Sequence, residues 1–373
     1  MLLSYNDDKL VKVIFLLNQN DLDGLTIFSD GSANILRPSY FQYFSGIKPT
    51  DEAAVVISAS GRVAVIVQSE SDVTRFTSKS KFRDVRWSRN ISTDIPKIFK
   101  EFEIKGTVGI AGVDQITADV YEAITNAITL RPADEIIEQI AAEKTPQEIE
   151  VVREAARIAD RGFETLLNKV RVGIEEYELV AEIAYTMRMA GADDIFILIS
   201  SEPHNQALHR PLDKKLNLND TVIVEMAPFV EGQCVQVCRT IYLGKPSDIL
   251  EEKYRILTEA FKESLKQIKA GQPASVISKA MNKVISSSGY EKYCYPPYMR
   301  ARGHGFGTGS ILPGAVIDDN TAVLLARGQV LIAHPNQYFP ETGYLACGET
   351  VIVTGTGYER LLKTETKLYH KEV

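Results

Sequence analysis

The stretch VIVEMAPFVEGQCVQVCRTIYLG, residues 222–244, contains two apolar runs with polar residues set into them. The first run, Thr221 to Ala227, predicts a buried strand that carries one carboxylate, Glu225. The second run, Cys234 to Leu243, predicts another strand. Because side chains alternate between the two faces of a strand, every second residue from 234 to 240 faces the same way, including Gln236 and Cys238.

A long helix precedes this stretch, and adjacent residues mark its start. Thr145 suits the N-cap position, Pro146 suits the first helical position, and Glu148 can reach back to complete a capping box. Apolar residues then recur at steps of three and four up to Val170, so one side of this helix faces a core.

Further helices and strands follow in alternation. Apolar periodicity predicts helices over residues 177–189, 249–268 and 274–287, and strands over residues 196–200, 330–333 and 350–354. Helix pairs that alternate with sets of strands predict an α+β domain, in which helices cover one face of a mainly antiparallel sheet.

The N-terminal part of the chain has a different pattern, in which short β-branched runs alternate with helix-like stretches. Strands are expected over residues 25–28, 54–58, 63–67 and 106–112, and helices over residues 95–102 and 118–128. This alternation predicts an α/β layer domain. A chain of 373 residues exceeds the usual span of one hydrophobic core, so two domains are the expectation.

Composition excludes several classes of protein. Apolar residues make up 45% and charged residues 24% of the chain, as in ordinary globular proteins. The net charge is −7 and no basic stripe is present, so nucleic acid is not an expected partner. No apolar run reaches the length of a membrane span, and no membrane association is expected. Four cysteines in a chain of this size suggest reduced thiols, which predicts a cytoplasmic protein.

Five segments, taken in order, resemble the pita-bread hydrolases, the family of methionine aminopeptidase, prolidase, aminopeptidase P and creatinase. They are NQALHRPLDKKL (205–216), VIVEMAPFVEGQCVQVCRTIYLG (222–244), GHGFGTGSILP (303–313), VLIAHPNQY (330–338) and GETVIVT (348–354). The resemblance implies a creatinase or prolidase type N-terminal domain over residues 1–133 and a pita-bread domain over residues 134–373. It also implies a homodimer that acts on a small amino-acid-like molecule or a short peptide.

The peptidases of this family hold two divalent metals with two Asp, one His and two Glu. By the resemblance, Glu225 stands at the first Asp position, Gln236 at the second, and His304 at the His position. Glu225 keeps an oxygen donor but is one methylene longer than Asp. Gln236 supplies no negative charge to hold two cations together.

The two family Glu positions are also changed. His334 stands where the family has the Glu of an E-P-G type turn, and the final Glu falls on Gly348. Glu349 is adjacent, but strand side chains alternate, so its carboxylate is expected to face away from the site. The second catalytic His of the family falls at Ser310. His209 lies near the position of a substrate-facing His.

The candidate site residues are therefore His209, Glu225, Gln236, Cys238, His304 and His334, and three hypotheses follow. The first is a creatinase-like or prolidase-like hydrolase of a C–N bond that needs no metal or other cofactor, with His209 in proton transfer and Glu225 holding a cationic group. The second is a mononuclear metal hydrolase with His304, His334 and Glu225 as ligands. The third is a non-catalytic module that binds peptide or protein. A single divalent metal fits the second hypothesis, whereas two metals are not expected. A nucleophilic Cys238 would need a lowered thiol pKa, for which the sequence shows no cause.

Overall fold

The computed structural model describes residues 5–32, 35, 38–79, 82–307, 309, 314 and 316–372, and it divides into two compact units. One unit comprises Met1–Ala141 with Gly307–Gly309, and the other comprises Ala142–Phe306 with Ser310–Val373. The predicted domain boundary at residue 133 stays a prediction.

The first unit is built on a six-stranded mixed sheet. Its helices are α1 (Tyr5–Gln19), α2 (Tyr40–Ser45), α3 (Glu70–Lys79), α4 (Ile91–Glu101), α5 (Ala118–Ala127) and α6 (Asp134–Ala142), with a 3-10 turn at Val113–Gln115. Its strands are β1 (Gly24–Ser29), β2 (Ala53–Ser58), β3 (Val63–Val67), β4 (Val85–Trp87), β5 (Thr107–Ala111) and β6 (Thr129–Pro132). The strand order is β4-β3-β2-β1-β5-β6, and α4 and α5 pack on one face. The predicted α/β layer is thus present.

The second unit holds the residues expected to form the site. Its helices are α7 (Pro146–Lys169), α8 (Glu176–Met189), α9 (Asp248–Leu265) and α10 (Ser275–Ile285), followed by short turns at Ser286–Tyr290 and Glu291–Tyr293. Its strands are β7 (Asp194–Glu202), β8 (Thr221–Val230), β9 (Gln233–Cys234), β10 (Val237–Leu243), β11 (Gly303–Phe306), β12 (Val330–Ala333), β13 (Asn336–Phe339), β14 (Gly343–Ala346), β15 (Gly348–Val353), β16 (Tyr358–Arg360) and β17 (Tyr369–Lys371).

The strands of the second unit form a large, mainly antiparallel sheet. Its order is β11-β12-β15-β10-β8-β7, all antiparallel, and β9, β16 and β17 pair at its sides. Strands β13 and β14 form a separate hairpin. The α+β class predicted for this region, with helices on a mainly antiparallel sheet, is confirmed.

The helix start predicted at Pro146 is present in full. The Thr145 hydroxyl accepts a hydrogen bond from the Glu148 backbone N–H, and the Glu148 carboxylate accepts one from the Thr145 N–H at 2.9 Å. A cap of this kind stabilises a helix by about 1 kcal/mol.

The strand predicted over Cys234 to Leu243 is interrupted in the structure, and this corrects the prediction. β9 ends at Cys234 and β10 begins at Val237. The Gln236 backbone N–H donates to the Thr350 hydroxyl at 2.8 Å, and the Gln236 carbonyl accepts from the Thr350 N–H at 3.1 Å. The Thr350 hydroxyl thus accepts a hydrogen bond that a backbone carbonyl would accept in a regular sheet. The alternation of apolar and polar residues in the sequence does not predict such an exchange.

Helices α9 and α10 define which face of the large sheet carries the site. Leu331 of β12 and Val351 of β15 belong to the apolar core that these helices form. Because strand side chains alternate, Gly348 and Thr350 belong to the opposite face. That opposite face is called the site face below.

Candidate functional site

Glu225 lies on the site face, midway along β8, which pairs with β10 on one side and β7 on the other. In the strand register Glu225 of β8 is opposite Cys238 of β10, and Cys238 is opposite Gly348 of β15. The Glu225 carboxyl is buried, and burial raises its pKa to about 7 because the charged form is removed from water. A side-chain hydrogen bond from Gln236 and the positive charge of Arg300 act in the opposite direction.

Gln236 reaches Glu225 from the break between β9 and β10. Its amide is 1% exposed, and its Oε1 atom has no hydrogen-bond partner within the described residues. Because buried polar atoms are nearly always paired, an unpaired amide oxygen beside a buried carboxyl is an unusual feature.

His304 and His334 lie next to each other on neighbouring segments. His304 is on β11, His334 directly follows β12, and their rings are perpendicular with centroids 6.1 Å apart. His304 Nδ1 is 3.2 Å from the Gly305 carbonyl, whereas His334 Nδ1 has no hydrogen-bond partner among the residues that the structure describes.

Both imidazoles are neutral at physiological pH. Burial lowers the pKa of His304 to about 4, and burial together with the nearby His304 and Arg302 lowers that of His334 to about 3. The pair therefore adds no positive charge to the site, and each ring offers one acceptor nitrogen.

His334 occupies the space beside Gly348. A Cβ atom at position 348 would lie 2.1 Å from the Cβ of His334 and 2.6 Å from its Cα. Residue 348 can therefore carry no side chain while His334 stays in place.

Glu349 faces away from the site, as predicted. Its carboxylate is fully buried and pairs with Arg239 at 2.8 Å, with Arg360, and with the Thr366 hydroxyl at 3.2 Å. It therefore does not replace the carboxylate that the family places at residue 348.

Cys238 is directed to the site face but is packed as an apolar side chain. It lies in a small cluster with Ile223, Tyr344 and Ala346 and is fully buried. Burial, and secondarily the nearby Glu225, raises the pKa of its thiol well above the usual value. The protonated thiol is a weak nucleophile.

His209 is not brought together with the other candidates. Its Nδ1 atom lies 2.8 Å from the Arg210 carbonyl and 4.0 Å from the buried Glu176 carboxylate, and its side chain is 33% exposed. Its backbone pairs with Ile199 of β7, whereas Glu225 is opposite Leu198, the next residue of that strand, and its neighbour Leu208 packs against the Cys238 cluster.

Two arginines at the site were missed from the sequence. Arg302 is fully buried and donates to Asn282 Oδ1 at 2.9 Å, to the Asn336 carbonyl at 2.7 Å and to Gln337 Oε1 at 2.9 Å. Burial lowers its pKa to about 10, so it stays charged at neutral pH. Arg300 is exposed, and its charge acts on Glu225. The sequence feature that could have indicated these arginines is the run YEKYCYPPYMRAR, residues 290–302, which is rich in tyrosine and ends with both arginines.

The donor set departs from what two divalent metals require. Within the described ranges, no three His, Cys, Asp or Glu side chains are grouped so that they could hold a metal ion. Ser310, at the family position of a second catalytic His, lies outside the described residues. No helix in the described part of the chain is long and apolar enough to cross a membrane.

Two family models match the chain. Residues 9–142 match the Creatinase/Prolidase N-terminal domain, and residues 150–355 match Metallopeptidase family M24. A curated relative, the Xaa-Pro dipeptidase of Pyrococcus furiosus, is 25% identical over 364 residues, which cover 97% of this chain and 99% of the relative.

Solved structures agree with the sequence relatives. The Xaa-Pro dipeptidase from Bacillus anthracis has a TM-score of 0.83 at 26% identity, and the match covers 98% of this chain and 100% of that one. The prolidase from Pyrococcus horikoshii has a TM-score of 0.84 at 23% identity, covering 96% and 99%. The resemblance to pita-bread hydrolases is thereby confirmed.

Proposed function

The chain belongs to metallopeptidase family M24, and on that premise we propose that it hydrolyses a C–N bond in a small amino-acid-like substrate without the usual dinuclear metal centre. One observation supports the statement that the usual dinuclear metal centre is not used. Where the family has four carboxylates, the site face keeps only Glu225, beside the neutral side chains of Gln236 and His334 and the bare position Gly348. The first half is supported by relatives along nearly the whole chain, among them Xaa-Pro dipeptidases.

Charge argues against two metals at these positions. Two divalent cations at close separation are held by carboxylates that cancel their mutual repulsion. Gln236 and His334 supply no negative charge, and Glu349 is engaged by Arg239 and Arg360 on the opposite face. A dinuclear centre would therefore leave most of its charge uncompensated in a buried site.

Glu225 is the group suited to move a proton in such a reaction. A buried carboxyl with a pKa of about 7 can accept and release a proton near neutral pH. It takes a proton from water as the new C–O bond forms, and gives it to the departing nitrogen as the C–N bond breaks. This assigns to Glu225 the proton transfer first expected of His209, whose ring lies beside Glu176.

Neutral donors and acceptors can support the reacting carbonyl in place of a metal. The amide of Gln236 and the imidazoles of His304 and His334 are held in fixed positions by burial. Fixed dipoles in a dry site stabilise developing charge more strongly than the same groups do in water. The homodimer and the cytoplasmic location remain predictions.

Metal analysis and an activity panel test this proposal together. Natively purified protein is assayed for metal by elemental analysis, and for hydrolysis of Ala-Pro, creatine and alanine amide with and without EDTA. We expect less than about one equivalent of metal per chain, hydrolysis that survives EDTA, and a loss of about 100-fold or more in Glu225→Gln. The matched control is Glu359→Gln, a half-exposed carboxylate on β16.

Each alternative predicts a different result. One equivalent of metal that is lost in both His304→Ala and His334→Ala would establish the mononuclear hydrolase instead. Two equivalents would show that the assignment of positions is wrong. Metal-free protein that cleaves none of the three substrates contradicts the hydrolase and favours the non-catalytic binding module.

A further inference from the structure

A cavity in the second unit lies between helix α9 and the C-terminal segment, residues 366–370. It is called the basic cavity here, because positively charged side chains line it from both sides. Its volume is about 310 Å³, which is at the small end of the range for sites that bind small molecules.

The basic cavity is separate from the candidate site. Buried Tyr254 of α9 is part of its wall and belongs to the apolar core that α9 and α10 form with β12 and β15. That core covers the face of the large sheet opposite to the site face. A ligand in the basic cavity would therefore not contact Glu225 or the two buried histidines.

Helix α9 presents one side to the basic cavity. Glu251, Arg255, Thr258 and Lys262 all line it, at steps of four, three and four residues, which is the spacing of one helix face. Arg255 and Lys262 are seven residues apart, so their backbones are separated by about 10 Å along the helix axis.

The charges of Arg255 and Lys262 are available to a ligand. Both residues are exposed, and neither side chain makes a hydrogen bond or an ion pair with any residue that the structure describes. An anion that binds them displaces only water.

The C-terminal segment adds Lys367 and His370 from the other side. Lys367 pairs with Glu365 at 2.6 Å, but the two side chains are 57% and 71% exposed. Such an exposed pair contributes little to stability, so an anion in the cavity can take the place of Glu365. His370 lies on β17 and is exposed.

The charge balance of the basic cavity favours an anion. Against Arg255, Lys262 and Lys367 stands one carboxylate, Glu251, among the described residues that line the cavity. The whole chain, in contrast, has a net charge of −7. Cations that two separate segments bring together repel one another unless an anion lies between them.

We propose that the basic cavity binds a small molecule that carries a chain of two or three phosphates. A single phosphate reaches both Arg255 and Lys262 only if both long side chains are bent toward one point, which costs conformational entropy. A chain of phosphates meets them where they stand. The guanidinium pairs with phosphate through two hydrogen bonds, and the ammonium groups act as point charges. This inference goes beyond the proposed hydrolysis of a C–N bond and does not depend on it.

Calorimetric titrations of the full chain test the inference. The ligands are inorganic phosphate, pyrophosphate, tripolyphosphate and ATP, at one ionic strength and without added divalent metal. Pyrophosphate and tripolyphosphate should bind about tenfold or more tightly than inorganic phosphate. Tighter binding of ATP than of tripolyphosphate would identify an organic phosphate as the ligand, and equal binding would show that the phosphate chain alone is recognised.

Variants locate the binding to the basic cavity. Arg255→Gln and Lys262→Gln should each weaken tripolyphosphate binding about fivefold or more, whereas Glu251→Gln should tighten it about twofold or more. The controls Arg327→Gln and Lys269→Gln make the same change of charge at exposed residues that do not line the cavity.

Each outcome decides for or against the basic cavity. The inference is overturned if pyrophosphate binds no more tightly than inorganic phosphate, or if tripolyphosphate does not bind. Binding that is unchanged in Arg255→Gln and Lys262→Gln, or that falls equally in the controls, overturns it as well. Losses confined to the two cavity variants support it, whether or not the protein hydrolyses any peptide.

Discussion

The Cβ of His334 lies so close to Gly348 that residue 348 has no space for a side chain. A Cβ atom on residue 348 would lie 2.1 Å from the Cβ of His334. The backbone at Gly348 has φ of 154°, and a new Cβ would also lie 2.7 Å from the Ala333 carbonyl oxygen. The backbone at Gly348 therefore leaves no space for the side chain of the family Glu, and the atoms in the way are the Cα and Cβ of residue 334 and the carbonyl of residue 333 rather than the imidazole ring.

This relationship predicts that Gly348→Ala is destabilising. The clash involves backbone atoms of residues 333 and 334, which cannot move as a flexible side chain would, so we expect a loss of about 1–3 kcal/mol in the free energy of unfolding. Urea unfolding provides the measurement. The control is Gly355→Ala, where a Cβ meets nothing within 4 Å. Equal stability of the two variants would mean that His334 does not hold the position seen here.

Placing the family Glu back at residue 348 alone should not restore metal binding. In Gly348→Glu the carboxylate has no room beside His334, so elemental analysis after dialysis against Mn²⁺ should find no more metal than in the wild type. Two equivalents of metal in this variant would contradict the steric argument.

The buried ion pair Arg239–Glu349 gives a second prediction. Both side chains are fully buried, and Arg239 also donates to the Gly348 carbonyl at 2.7 Å. Glu349→Gln leaves a buried guanidinium without its counter-charge, so we expect a loss of about 3–5 kcal/mol in unfolding free energy. Glu359→Gln removes the half-exposed pair with Arg153 and should cost at most about 1 kcal/mol. Comparable losses in the two variants would rule out a special role for the buried pair.

Local signals explain which parts of the fold were predictable. The helix from Pro146 is encoded by neighbouring residues, Thr145 to Glu148, and β3 follows from an unbroken run at Val63 to Val67. Helix α1 was missed because its apolar residues form only a weak stripe among polar ones. The hairpin β13–β14 was missed because neither of its four-residue strands stands out from the surrounding loops.

The site was less predictable, because its decisive contacts join residues distant in the chain. The family resemblance identified Glu225, Gln236, His304 and His334 as candidates. It did not predict that His334 lies too close to Gly348 for residue 348 to carry a side chain. The placement of His209 beside Glu176 depends on packing at the start of α8. No sequence pattern specified either contact.

Stability at low pH should depend on Glu225. Its folded-state pKa is raised to about 7, so the folded protein binds this proton more tightly than the unfolded chain, and the group adds stability as pH falls from 7 toward 4.5. His304 and His334 have the opposite effect, because their pKa values are lowered to about 4 and 3. They make the folded protein less stable as pH falls below 6.5.

Replacing Glu225 with Gln should therefore remove the stabilising contribution of Glu225 at low pH and leave the destabilising contribution of the two histidines. Between pH 7 and pH 4.5 the Glu225→Gln variant should lose more unfolding free energy than the wild type, by about 3 kcal/mol, the value expected for a shift of this size. Urea unfolding at both pH values gives the comparison, in which other titrating groups cancel. An identical pH dependence in the two proteins would show that Glu225 is not buried as described.

Thiol reactivity tests whether Cys238 takes part in catalysis. Burial raises the pKa of the Cys234, Cys238 and Cys347 thiols, to about 12 for Cys347, and all three are inaccessible, whereas Cys294 is only partly buried. Iodoacetamide should therefore label Cys294 first in the native protein and all four thiols in urea, as mass spectrometry would show. Cys238→Ala removes a small packed side chain and should leave the rate of any peptide hydrolysis within about threefold of wild type. Rapid native labelling of Cys238 with parallel loss of activity would instead identify it as the nucleophile, because only an accessible thiolate reacts in that way.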